Sequence, residues 1–93
     1  MGVNISGFHP VGNCIGIKST DLAKIFNVSH GTIIRKIKKY LPYLPLINDY
    51  YILDWNQAMD IAMSFNNSKR NVEAKNTMIK AYIEARNTAG LLI

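Results

Sequence analysis

Apolar residues recur at intervals of three and four in several stretches of this chain. The segments between them carry the glycine, proline and asparagine that end such patterns. Residues 1–17 contain Gly2, Gly7, Gly12, Gly16 and Pro10, which break any helix. Short extended pieces are expected there, at Val3-Asn4-Ile5 and Ile15-Gly16-Ile17. Ser19-Thr20-Asp21 then opens a helix, with hydroxyls suited to capping free N–H groups and an acid suited to the positive end of the dipole. Leu22, Ala23, Ile25 and Phe26 form its apolar face. Asn27-Val28 ends it, because asparagine tolerates left-handed backbone.

A second helix follows at once, from its cap at Ser29 to about Tyr40. Ile33, Ile34, Ile37 and Leu41 make its apolar stripe, while His30, Thr32, Arg35, Lys36, Lys38 and Lys39 lie opposite. Pro42 stops it, and Pro42 to Pro45 must run as loop or extended chain. Asn48-Asp49 reads as a turn and Tyr50-Tyr51-Ile52-Leu53 as a strand. Asp54 and Gln57 have the spacing of a capping box at the start of a third helix. Trp55, Ala58, Met59, Ala62 and Phe65 share one face of it, widened by Ile61 and Met63, so this helix is expected to be buried nearly all round. After Asn66-Asn67-Ser68 a fourth helix runs from about Lys69 to Asn87, with Val72, the Lys75 stem, Ile79, Tyr82 and Ile83 expected inward. Gly90 suits its end, leaving an apolar tail at Leu91-Leu92-Ile93 that either packs back on the core or meets another subunit.

The elements predict a mainly α fold with a small β-sheet (α+β), a winged helix-turn-helix with two additional C-terminal helices. All 93 residues make one domain. Its parts are an extended segment over 1–17, a helix-turn-helix over 19–41, a short wing and strand over 42–54, and the C-terminal helices over 55–89. No segment resembles a signal peptide or a membrane span, so a soluble, intracellular, cytoplasmic protein is expected, with no membrane partner. The single cysteine, Cys14, has no His or Cys partner evident in the sequence and reads as a small apolar filler.

Charge sharpens this picture. Eleven Lys and Arg against six Asp and Glu give a net charge of +5. Arg35, Lys36, Lys38 and Lys39 fall within one helix, and no acid lies between Lys24 and Asp49. A second group, Lys69, Arg70, Lys75, Lys80 and Arg86, is diluted by Glu73 and Glu84. Charged residues are few at 18%, which points to a dimer or a docked partner.

A short helix, an asparagine turn and a second helix starting at serine form the layout that places a recognition helix in the major groove. The candidate DNA-binding residues are Thr20, Ser29, His30, Gly31, Thr32, Arg35, Lys36, Lys38 and Lys39. Ser29 to Thr32 would face base edges or phosphate at the helix start, with Gly31 allowing close approach. Arg35 could take a bidentate contact with guanine, and the lysines suit phosphates. The same lysines would also serve as a solvated face on an apolar protein. Two separated histidines, no paired carboxylates, no metal-ligand cluster and no phosphate loop argue against enzyme chemistry, a metal or a cofactor.

Three stretches then carry a family resemblance. They are Ile17-Lys18-Ser19-Thr20-Asp21-Leu22-Ala23-Lys24-Ile25-Phe26, the His30-Gly31-Thr32-Ile33-Ile34-Arg35-Lys36-Ile37 helix, and Tyr51-Ile52-Leu53 joined to Asn56-Gln57-Ala58, Asn66-Asn67 and Lys80-Ala81-Tyr82-Ile83-Glu84-Ala85. In their order and spacing over about residues 17 to 87 the chain resembles the Rha-type phage regulatory proteins, a branch of the phage antirepressor-like winged helix proteins. The resemblance implies phage or prophage origin, DNA binding and regulation, with His30 and Arg35 on the recognition helix. The Leu41 to Asp49 segment is short, so the wing would be small, and the glycine-rich opening has no counterpart in that pattern. Three functions follow as expectations: a transcriptional regulator binding double-stranded DNA, with homodimerisation through the C-terminal helices and Leu91, Leu92 and Ile93; a phage-encoded inhibitor of a host or phage protein on the same scaffold (an antirepressor or anti-host-defence protein); and a structural phage component.

Overall fold

The computed structural model describes residues 7–11 and 14–88; the strand expected at Val3-Asn4-Ile5 and the tail at Leu91-Leu92-Ile93 lie outside them. Among the described residues the chain is a small α+β protein with four helices and one antiparallel three-stranded sheet. Strand β1 (His9–Val11) pairs with β2 (Cys14–Lys18), and β2 pairs with β3 (Ile52–Asp54), in the order β1-β2-β3. Helices α1 (Ser19–Phe26) and α2 (His30–Tyr40) lie between β2 and β3 in the chain, with α3 (Trp55–Met63) and α4 (Lys69–Thr88) after them.

The helix-breaking opening therefore contains a strand that includes Pro10, opposite Ile15. Proline has no N–H to give a ladder, and β1 stands at the sheet edge, where that loss is tolerated. At the centre of β2, Gly16 is a packing requirement. A Cβ there would come within 2.9 Å of Ile52 Cγ2 and 3.3 Å of Val11 Cγ2, because side chains from both neighbouring strands lean over it. Cys14 departs from the expected buried filler: it sits at the exposed start of β2.

Ile17 and Leu53 from the sheet meet Leu22 and Phe26 of α1, Ile33 and Ile37 of α2, Ile61 of α3 and Met78 of α4 in one core. Apolar burial of this kind supplies most of the driving force for so short a chain. At its margin Phe26 stacks on Phe65 with ring centroids 4.4 Å apart, and Phe8, Trp55 and Tyr82 form a second aromatic group. The Asp54–Gln57 capping box forms as expected: Gln57 N–H donates to Asp54 Oδ1 at 2.8 Å and Asp54 N–H to Gln57 Oε1 at 3.0 Å.

Two helix faces differ from expectation. Helix α3 is not apolar all round, since it ends at Met63, whose side chain is 69% exposed. In α4 the inward residues are Ala74, Met78 and Ala85, flanked by half-buried Lys75, Ala81 and Tyr82, while Val72, Ile79 and Ile83 face outward. The helix packs closely against α1, β1 and β2, and close approach selects small side chains over branched ones. The second basic group is also partly consumed here. Arg70 donates to the carbonyls of Phe26 (3.2 Å) and Asn27 (2.6 Å), closing the C-terminus of α1. Lys75 Nζ donates to Asn67 Oδ1 at 3.0 Å and to the Phe65 carbonyl at 3.4 Å.

Candidate nucleic-acid interface

The site is built outward from the turn between α1 and α2. Asn27 takes left-handed backbone (φ 56°, ψ 48°), and the N–H groups of Asn27 and Val28 return to the carbonyls of Lys24 and Ala23. Ser29, in extended backbone, then caps α2 by accepting from Thr32 N–H at 3.2 Å. Its hydroxyl also meets Thr32 Oγ1 at 3.0 Å, and Arg35 Nη2 donates to that same Oγ1 at 3.2 Å. A chain of hydrogen bonds thus runs up the first turn and a half of α2 and holds the guanidinium at the surface.

Burying Ile33 and Ile37 turns two rows of side chains outward. One row is Gly31, Arg35 and Lys38, all exposed; the other is Thr32, Lys36 and Lys39. Thr32, Arg35, Lys36, Lys39 and Tyr40 line a shallow depression of about 220 Å³. Lys39 reaches back over the Tyr40 ring, 5.3 Å to its centroid. Lys36 is half-buried with its ammonium 4.4 Å from the centroid of Phe65, so a cation–π contact anchors it toward the α3–α4 connection. Arg35, Lys38 and Lys39 are the exposed cations of the helix.

Gly31 is open. A Cβ there would meet only Arg35 Nη1 at 3.7 Å and Ser29 Oγ at 3.8 Å, ordinary contacts. The fold does not require glycine in this helix, and alanine favours helix over glycine by about 1 kcal/mol. Gly31→Ala is therefore expected to raise stability by about 0.5–1 kcal/mol in urea unfolding. If the glycine serves close approach of a phosphate backbone, the same variant should bind duplex DNA several-fold more weakly. Unchanged binding would remove Gly31 from the interface.

His30 stands apart from the exposed face on which the sequence placed it. It is half-buried, and its Nε2 lies 2.8 Å from Ser19 Oγ. Ser19, in turn, is not the cap of α1; Lys18 occupies that position with no side-chain cap bond. Ser19 is wholly buried, its N–H donates to the Tyr51 carbonyl at 2.8 Å, and its Oγ accepts from Tyr51 N–H at 2.9 Å. The β2–β3 ladder is extended by one pair in this way, with the hydroxyl replacing a carbonyl that has turned into the helix. His30 joins that junction and fixes the start of α2 against it. Thr20 is half-buried in the first turn of α1 and is not part of the Ser29–Thr32–Arg35 hydrogen-bond chain. The local sequence pattern read Ser19 as a cap and Arg70 as part of the second basic group, and it gave Tyr40 no role at the site.

Among the described residues no group of three or more His, Cys, Asp or Glu is arranged to hold a metal ion, and no helix is long and apolar enough to cross a membrane. No protein-family model, curated protein or solved structure matches the chain.

Proposed function

We propose that this protein is a sequence-specific regulator of transcription that binds double-stranded DNA, of phage or prophage origin and Rha-like, acting in the bacterial cytoplasm. The observation that carries the reading is the outward face of α2. It presents Gly31, Arg35 and Lys38 in one row directly after the Asn27 turn, with no acid between Lys24 and Asp49. The capped N-terminus and an exposed arginine hydrogen-bonded to Thr32 suit base contact, while Lys38 and Lys39 suit phosphate. The loop after α2 serves as a small wing in this reading. Its tip is a two-residue turn at Asn48-Asp49, with Asn48 at φ 55° and reciprocal backbone hydrogen bonds between Ile47 and Tyr50.

Selection of bound duplexes from a random library tests the proposal. A motif should be enriched. Arg35→Ala should relax preference at one position, worth about 1–3 kcal/mol of discrimination, while Lys39→Ala weakens all sequences alike. Absence of any enriched motif would contradict sequence-specific recognition.

One observation favours a second reading, a phage-encoded inhibitor that binds a protein. Tyr40, Tyr43, Leu46 and Ile47 are all exposed beside the C-terminal end of α2, a concentration of apolar surface next to a basic one. Under that reading Tyr43→Ala and Leu46→Ala would abolish capture of a host protein and leave duplex binding untouched.

A further inference from the structure

Among the described residues the outward face of α4 has no partner, and its pattern is self-complementary. Val72, Ile79 and Ile83 are 41%, 36% and 52% exposed. With Asn76 they fall at spacings of four, three and four, the seam of a paired helix. Lys69, Glu73, Lys80 and Glu84 follow one edge of that seam with alternating sign.

We propose that α4 is a homodimer interface in which two copies of the helix pack antiparallel about a two-fold axis beside Asn76. Two-fold antiparallel packing brings the same edge of both helices together. The register that sets Lys69 against Glu84 of the second copy also sets Glu73 against Lys80 of the second copy. By symmetry this makes four opposite-charge pairs. At a rise of about 1.5 Å per residue the same register places Val72 between Ile79 and Ile83 of the second copy. It also brings the two Asn76 amides together at the axis, where they hydrogen-bond and fix alignment. One register thus satisfies the edge and the seam together. Parallel packing would set the charged edge against the opposite one, where Lys75 is engaged with Phe65 and Asn67, and Arg86 lies 5.7 Å from the Tyr82 ring.

Three apolar side chains from each copy make a small interface, so the dimer dissociates in the micromolar range. It depends on neither DNA binding nor the residues after 88. Within a single chain the same charges could support the helix as Lys69–Glu73 and Lys80–Glu84 pairs, and scattered exposed apolar residues are common. Charge-swap variants separate the two cases.

Sedimentation equilibrium of the full chain, with thermal melts followed by circular dichroism as a control, provides the test. The wild type should dimerise with concentration. Ile79→Lys should remain monomeric with an unchanged melt. Glu73→Lys and Lys80→Glu should each weaken dimerisation about tenfold, since each turns two attractive pairs repulsive. The double variant should recover it, and an equimolar mixture of the two single variants should form a heterodimer of near wild-type affinity. A wild type that stays monomeric to millimolar concentration, a dimer indifferent to Ile79→Lys, or single variants that do not complement each other would overturn the proposal.

Discussion

Phe26→Ala is expected to cost about 3–5 kcal/mol, the usual range for a large aromatic removed from a packed core. A chain of this size has a total stability on the order of 5–14 kcal/mol, so a large part of it rests on this ring. Phe26 is fully buried at the end of α1 and is linked, directly or through Phe65, to three other parts of the fold. Its ring stacks on Phe65, Phe65 in turn seats the Lys36 ammonium, and the Phe26 carbonyl takes a hydrogen bond from Arg70. Losing the ring leaves a cavity beneath the α1–α2 turn, so α2 is expected to loosen before the sheet does. At about 4–8 °C per kcal/mol the melting temperature should fall by more than 10 °C. Hydrogen exchange should show the largest loss of protection in α1 and α2. A fall of less than about 1 kcal/mol would mean that the Phe26–Phe65 stack is not a keystone of the fold.

Ser19→Ala is the second large effect, expected to cost about 2–3 kcal/mol although only one oxygen is removed. The Tyr51 N–H would lose its acceptor in a buried place, and an unsatisfied buried donor carries most of its desolvation penalty. His30 would lose its anchor as well. A double-mutant cycle reads the coupling: His30→Ala should matter in the wild type and change little once Ser19 is alanine. Additive effects would show that His30 is independent of the junction and free to serve the outer face. A smaller cost, below about 0.5 kcal/mol, would mean that Tyr51 N–H finds another acceptor.

These two residues mark where the sequence was legible and where it was not. The asparagine turn at Asn27, the Ser29 cap and the Asp54–Gln57 box depend on residues within four positions of one another, and each formed as the pattern predicts. The roles of Ser19, His30 and Arg70 depend on partners far along the chain, such as Tyr51 and Phe26, which local spacing cannot reveal. A serine before a helix reads as a cap, and here tertiary contact gave it a different acceptor role. Pro10 read as a breaker because its edge position follows only from sheet order. In α4 the bulky residues Val72, Ile79 and Ile83 outweighed Ala74, Met78 and Ala85 by hydrophobicity, whereas close packing against α1 and the sheet chose the smaller ones. Of the candidate site, the exposed Gly31–Arg35–Lys38 row was legible from periodicity, but the anchoring of Lys36 on Phe65 was not.

The reading that α2 engages a duplex is tested most directly by the dependence of duplex affinity on salt. Each phosphate neutralised by a lysine or arginine contributes about −0.9 to the slope of log affinity against log salt. A steep negative slope is expected for the wild type, with the Lys38→Ala/Lys39→Ala variant shallower by about 2. No duplex binding at low salt, or a slope unchanged when both lysines are removed, would contradict it.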